Sequence, residues 1–313
     1  MGSFERQIKE LLAEQKQTWQ VARENYAALG KVQTRAFNYL GRELLVQFNP
    51  ERIRSSAAKV DKTSLQARPC FFCHRPKEQK SVIYNEDFEV LVNPYPIFQE
   101  HLTIPLRHHE RQQILPYFHT LLELAVVLPS FVLFYNGPKC GASAPDHMHF
   151  QAGNNLGFPL FKDWCGINKT QVWEEKNTRL YTSVEALPRM FFIVSKKKEE
   201  AIFLFERLYK LMEVKAEEYE PMMNVIVWME KDSWVVGIFP RKALRPSCYY
   251  AEGEANLLVS PATVEMSGLF VLPLEKDFKK VTLADLQTIW LDGSITEEEQ
   301  VKIIHKLKNT KKI

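Results

Sequence analysis

The sequence predicts an α+β fold with antiparallel sheets, on three observations. Short apolar or alternating runs recur at residues 81–84, 88–93, 101–105, 131–135, 190–194, 222–229, 234–240 and 269–273, most of them bounded by turn-forming residues. Helical periodicity is confined to residues 4–29, about 112–128, about 199–219 and two short C-terminal segments. The two kinds of run do not alternate regularly, which disfavours a parallel α/β sheet.

Taken in order, Ile8, Leu11, Leu12, Trp19, Ala22 and Tyr26 recur at helical spacing, and Gly30 is a stop signal. Such a helix packs against the body of the protein or against a partner subunit, which admits a homodimer. The polar, basic residues 49–68 read as a surface loop. Asn85-Glu86-Asp87 turns the strands at 81–84 and 88–93 into a hairpin, and Pro116 is tolerable only in the first turn of the helix near 112–128. Asn136-Gly137-Pro138 ends the strand at 131–135. In the second half, Lys231-Asp232 is a hairpin turn, and Thr296-Glu297-Glu298-Glu299 fits a capping box opening the last helix. The two halves share an order of elements, which leads to an expectation of a duplicated unit.

The chain has 313 residues, 45% of them hydrophobic, enough for two packed units or one large one. Its 41 basic and 38 acidic residues give a net charge of only +3, which argues against a dedicated nucleic-acid binder. No apolar run is long enough to span a bilayer, and residues 1–6 carry no hydrophobic signal core. Five cysteines in a long chain argue against a disulfide framework. A cytoplasmic protein with no membrane partner is the expectation.

The chemistry concentrates in Gly141-Ala142-Ser143-Ala144-Pro145-Asp146-His147-Met148-His149-Phe150-Gln151. Alternate residues of a strand share a face, so His147, His149 and Gln151 line one wall while Met148 and Phe150 enter a core. A neutral imidazole can act as a nucleophile, and an amide beside it can donate a hydrogen bond without supplying a proton for hydrolysis. This is equipment for moving a phosphorus-containing group through a covalent histidine intermediate. Two packed histidines, or two metal ligands and nothing more, are the plainer alternatives.

Cys70-Phe71-Phe72-Cys73 is a C-x-x-C knuckle, a zinc half-site or a redox pair. Its setting between Pro69 and His74-Arg75-Pro76 suits a knuckle better than a strand-to-helix redox site. His108 or His109, and His147, are available to complete a zinc site; ordinary reduced cysteines are the alternative. Cys140, Cys165 and Cys248 are single and read as structural thiols. A phosphate-bearing substrate needs fixed cations, and the candidates are Arg52, Arg54, Lys59, Lys62, Lys139, Arg241 and Lys242. The C-terminal lysines Lys306, Lys308, Lys311 and Lys312 read as a solvated tail.

On His147-Met148-His149-Phe150-Gln151 the chain resembles the transferase branch of the histidine-triad superfamily, with its H-x-H-x-Q signature. That branch includes galactose-1-phosphate uridylyltransferases, diadenosine tetraphosphate phosphorylases and GDP-hexose phosphorylases. The resemblance implies that His149 attacks the α-phosphorus and that Gln151 holds a non-bridging oxygen. It also implies substrate contacts at Asn136 and Ser143, and a structural Zn2+ on Cys70, Cys73, His108 and His147. Phe239-Pro240-Arg241-Lys242 looks like a phosphate-contacting segment. Residues 147–152 and 260–268 look closest to the GDP-hexose phosphorylases.

The resemblance spans roughly residues 45–305 and implies two histidine-triad-like halves, 46–185 and 186–280. A helical arm (1–45) precedes them and C-terminal helices (281–313) follow. The implied activity is a nucleotidyltransferase of the phosphorylase type with a GDP-hexose donor and phosphate or a sugar phosphate as acceptor. Diadenosine tetraphosphate phosphorylase and hexose-1-phosphate uridylyltransferase are the alternatives within the branch. A nucleotide-binding sensor is the alternative outside catalysis.

Overall fold

The computed structural model of the protein describes residues 2–53, 63–64, 67–183 and 187–309. Its centre is one ten-stranded sheet that runs through both halves of the chain, in the order β3-β4-β5-β7-β6-β11-β12-β10-β9-β8. The strands are β3 (Ser81–Ile83), β4 (Glu89–Val92), β5 (His101–Pro105), β6 (Phe131–Asn136), β7 (His149–Asn154), β8 (Lys169–Glu175), β9 (Thr178–Ser183), β10 (Phe191–Ser195), β11 (Met223–Glu230) and β12 (Ser233–Pro240). Every pairing in it is antiparallel. A second, three-stranded sheet joins β1 (Gln33–Tyr39) and β2 (Arg42–Phe48) to β13 (Leu269–Leu272), the last pairing parallel.

Period-2 alternation gives the large sheet two apolar faces with different covers. On one face Phe150, Tyr135, Val225 and Ile238 pack with α1 (Ser3–Thr18), α2 (Gln20–Ala28), α3 (Phe118–Val127) and α5 (Lys198–Leu211). On the other, Phe134, Ile226 and Phe239 pack with the β1-β2-β13 sheet, α7 (Thr263–Met266) and α9 (Leu283–Gly293). The short helices α4 (Pro159–Lys162), α6 (Ser247–Tyr250) and α8 (Glu275–Lys280) and the terminal α10 (Glu297–Asn309) complete the fold. The predicted capping box forms, Thr296 N–H donating to Glu299 Oε2 at 2.6 Å and Glu299 N–H to Thr296 Oγ1 at 3.2 Å. No helix among the described residues is long and apolar enough to cross a membrane.

The α+β class with antiparallel sheets is the one observed, but several elements differ from expectation. The hairpins β1-β2 and β8-β9 went unread because β1 and β8 are mostly polar and partly exposed. Such strands are held by ladder pairing, which leaves little trace in hydrophobic periodicity. The helix expected from about 112 begins at Phe118, because Gln112 is drawn into the sheet and residues Leu115–Tyr117 form a 3-10 turn. The helix expected to reach 219 stops at Leu211. Among the described residues, three helices, not two, follow β13.

Glu220, 3% exposed, lies under the helical face and accepts from Ile114 N–H at 3.0 Å and from the Tyr135 hydroxyl. Burial pushes its carboxyl up to about 7. The folded protein therefore keeps this proton to higher pH than the unfolded chain does. The contribution is fully present below pH 4.5 and is lost as pH rises through 7. Glu220→Gln is expected to remove about 3 kcal/mol of stability loss between pH 5 and pH 8. Denaturant melts of both proteins at the two pH values check this, and parallel pH dependences would refute it.

Candidate active site and metal centre

At one end of the large sheet β7 begins at His149, β6 ends at Asn136, and Asn224 of β11 pairs with Asn136. Alternation puts His149, Gln151, Asn136 and Asn224 on the face opposite Phe150 and Tyr135. His149 is 3% exposed, and the Phe72 ring lies 5.0 Å from its imidazole. Two glycines let the loop between β6 and β7 pack closely. A Cβ on Gly137 would come within 2.8 Å of the Met223 carbonyl, and Gly141, at φ +92°, would put one 2.5 Å from Ala262 Cβ.

The protonation of each ring follows from partners that can act in one sense only. His149 Nδ1 lies 2.8 Å from the His147 carbonyl, so it carries the proton and Nε2 is left with its lone pair. Burial holds this imidazole down at about 4, well below its usual range, so the ring is neutral at pH 7. His101, fully buried on β5, accepts from Ile97 N–H at Nδ1 (3.2 Å), which puts its proton on Nε2. That Nε2–H donates to Gln151 Oε1 at 3.1 Å, so the Gln151 NH2 is the group left over, with no partner among the described residues. Asn136 is oriented in the same way. Its Oδ1 accepts from Thr263 N–H (2.9 Å), the Thr263 hydroxyl (2.7 Å) and Asn224 Nδ2 (2.9 Å), leaving its NH2 free among the described residues. A bare imidazole nitrogen thus shares a face with two amide donors whose orientations are set by buried partners.

Beside it, Cys70, Cys73, His109 and His147 bring one ligand atom each within 4.8 Å of one another. His147 Nε2–H donates to the Leu106 carbonyl at 2.8 Å, which turns its Nδ1 lone pair to Cys70 Sγ (3.2 Å) and Cys73 Sγ (3.6 Å). His109 Nδ1 is 3.4 Å from Cys73 Sγ. Sulfur and nitrogen ligands of one tetrahedral ion lie about 3.5 Å apart. A ligating His commonly gives its other N–H to a carbonyl, as His147 does. The four residues fit a metal ion.

The expected ligand His108 is replaced in this group by His109. The His108 ring is 55% exposed and faces Glu110 Oε2 at 3.4 Å, away from the thiols. Of the expected anion contacts among the described residues, only Arg52 is close to the Gln151 end. Its Nη1 donates to the Tyr95 carbonyl at 2.6 Å, and its charge helps depress His101. Burial lowers Arg52 itself to about 10. Arg54, Lys59 and Lys62 lie outside the described residues.

Arg241 is a structural hub, not a free cation. Its guanidinium donates to Gly293, Asn224, Pro261, Ala243 and Leu244. Through Asn224 it supports Asn136. Lys242 lines a surface cleft of about 520 Å3 with Lys210, Lys215 and Lys302 on the helical face, and Lys139 pairs with Glu218 at the surface. Ser143 is half-buried, and its carbonyl accepts from Arg68 at 3.4 Å. The sequence gives no sign of the roles of Gln112, Thr263 and Asn224. No local pattern marks them, since each acts across elements distant along the chain.

A family profile described as a domain of unknown function (DUF4922) matches residues 11–154. No curated protein sequence matches the chain. Among solved structures, the yeast Ap4A phosphorylase Apa2 superposes with a TM-score of 0.61 at 14% identity, covering 94% of this chain and 95% of that one. Its complexes with AMP and with Ap4A superpose with TM-scores of 0.60, at 12% and 13% identity, over 94% of this chain and 97% and 98% of theirs. From helical arm to C-terminal helices, this chain has the fold of the yeast Ap4A phosphorylase Apa2.

Proposed function

We propose that the protein is a nucleotidyltransferase of the phosphorylase type that works through a covalent nucleotidyl-His149. The observation that carries this reading is the His149 tautomer: Nδ1–H held by the His147 carbonyl, Nε2 bare, and two oriented amide NH2 groups on the same face. Nε2 attacks the α-phosphorus, and the bond to the leaving phosphate chain breaks with its electron pair. The imidazolium formed keeps its Nδ1–H on the carbonyl. The Gln151 and Asn136 amides donate to the phosphoryl oxygens as charge develops. Phosphate then attacks phosphorus, and the P–N electron pair returns to Nε2. Gln151 has no proton to give or take, which disfavours water as acceptor.

A dinucleoside polyphosphate is the first donor of choice, since the fold matches an Ap4A-bound protein over nearly the full length of both chains. The GDP-hexose donor expected from residues 147–152 and 260–268 gains no support from these neighbours and is the second choice. Zn2+ is the ion best suited to the two thiolates and two imidazoles. It would tie Cys70 and Cys73 to His109 and His147, supplying structure and no step of the transfer.

The test is intact mass under non-acidic conditions after incubation with Ap4A, GDP-hexose or UDP-hexose in the absence of phosphate. An AMP, GMP or UMP adduct that phosphate discharges identifies both mechanism and nucleotide. A zinc-loaded, folded protein that forms no adduct with any donor would favour the binding-only alternative.

A further inference from the structure

The last rung between β6 and β7 pairs Phe134 with Gln151. Continuing that register would set Asn136 opposite His149, yet the ladder stops short of these two residues. The Gln112 side chain, fully buried, takes the place of the rung. Its Oε1 accepts from His149 N–H at 2.8 Å, and its Nε2 donates to the His149 carbonyl at 3.1 Å and to the Asn136 carbonyl at 2.9 Å. All the bonding capacity of one amide NH2 and one oxygen lone pair is directed at the two residues that carry the bare imidazole and its neighbouring donor. Gln112 is itself anchored, its N–H donating to the Pro145 carbonyl at 3.0 Å.

We infer that Gln112 is a positioning residue: its amide bridges the split end of β6 and β7 and sets the distance between His149 and Asn136. This rests on the reading of His149 as nucleophile. A buried amide is an unusual choice for a purely structural plug, because each group must be matched, and a Met of similar volume would fill the space without that demand. What Met cannot do is fix both strands at once. A displacement near 1 Å at a reacting centre can cost about 100-fold in rate.

The experiment compares wild type with Gln112→Met and Gln112→Glu. Gln112→Met keeps the volume and removes every bond, while Gln112→Glu keeps the acceptor for His149 N–H and removes both donors. Each is expected to slow adduct formation about 100-fold with little change in KM. Nitrogen NMR of the His149 ring should show a single Nδ1–H tautomer in wild type and a mixture in the variants. In wild type, the His149 amide and the Gln112 side-chain protons should resist exchange with solvent.

Wild-type rates and a single tautomer in Gln112→Met would overturn the inference. So would rapid exchange of those protons in the unaltered protein, a measurement that stands even if neither variant folds. Should wild type form no adduct with any donor, the proposed function fails, while tautomer and exchange still decide the role of Gln112.

Discussion

His149→Ala is expected to fold and to keep the Cys70–Cys73–His109–His147 cluster but to form no nucleotidyl adduct, with a transfer rate lower by at least about 10^4-fold. The expectation follows from what the imidazole alone provides. Nε2 is the atom that would bond phosphorus, and no neighbour can replace it. His147 Nε2 is committed to the Leu106 carbonyl and its Nδ1 to the thiols, while His101 spends both nitrogens on Ile97 and Gln151. The backbone of residue 149 stays bonded to Gln112 after the substitution, so the strand keeps its place. Truncating a buried ring costs stability, on the order of 2–3 kcal/mol, which a melt can separate from loss of chemistry. The measurement is single-turnover transfer alongside intact mass. Turnover within tenfold of wild type would show that His149 is not the nucleophile.

Removing the metal is expected to have the second largest effect, on stability and chemistry together. The purified protein should hold about one zinc per chain by elemental analysis, and Cys70→Ser should lower both its occupancy and its affinity. Structural zinc contributes upwards of about 10 kcal/mol to peptides that fold entirely around it. This chain has two apolar cores of its own, so a loss of about 5 kcal/mol is expected, lowering Tm by about 10–20 °C.

The chemical effect passes through one peptide unit. His147 Nδ1 faces the thiols, while the carbonyl of the same residue holds the His149 Nδ1 proton. Without an ion the two thiols and two rings have no common centre to hold them, and the carbonyl that selects the His149 tautomer loses that anchor. Chelation should therefore slow transfer before it unfolds the protein. A chelated protein with unchanged Tm and unchanged rate would show that the cluster holds no structural ion.

How much of this was legible beforehand depends on the range of each interaction. Period-2 alternation is a local property of an extended chain, so the shared face of His149 and Gln151 could be read directly from residues 149–151. The C-x-x-C knuckle is equally local, because two residues between cysteines always bring their thiols near one another. Turn chemistry and the capping box at Thr296 belong to the same class.

Two adjacent histidines, by contrast, have equal local claims to the metal. The path of the chain after β5 decides between them, turning His109 to the thiols and His108 to Glu110 and solvent. Arg241 looks like a phosphate contact by its position after a strand, but its burial among five acceptors makes it a support for Asn224 and Asn136.

The sequence by itself determined the nucleophile candidate, its companion amide and the thiol pair, because each depends on the geometry of a few consecutive residues. Only the tertiary structure decided the second imidazole of the metal group, the tautomers of His101, His147 and His149, and the wedge at Gln112. Those depend on which carbonyl or N–H lies opposite a side chain, and a buried polar group takes its proton state and orientation from that partner.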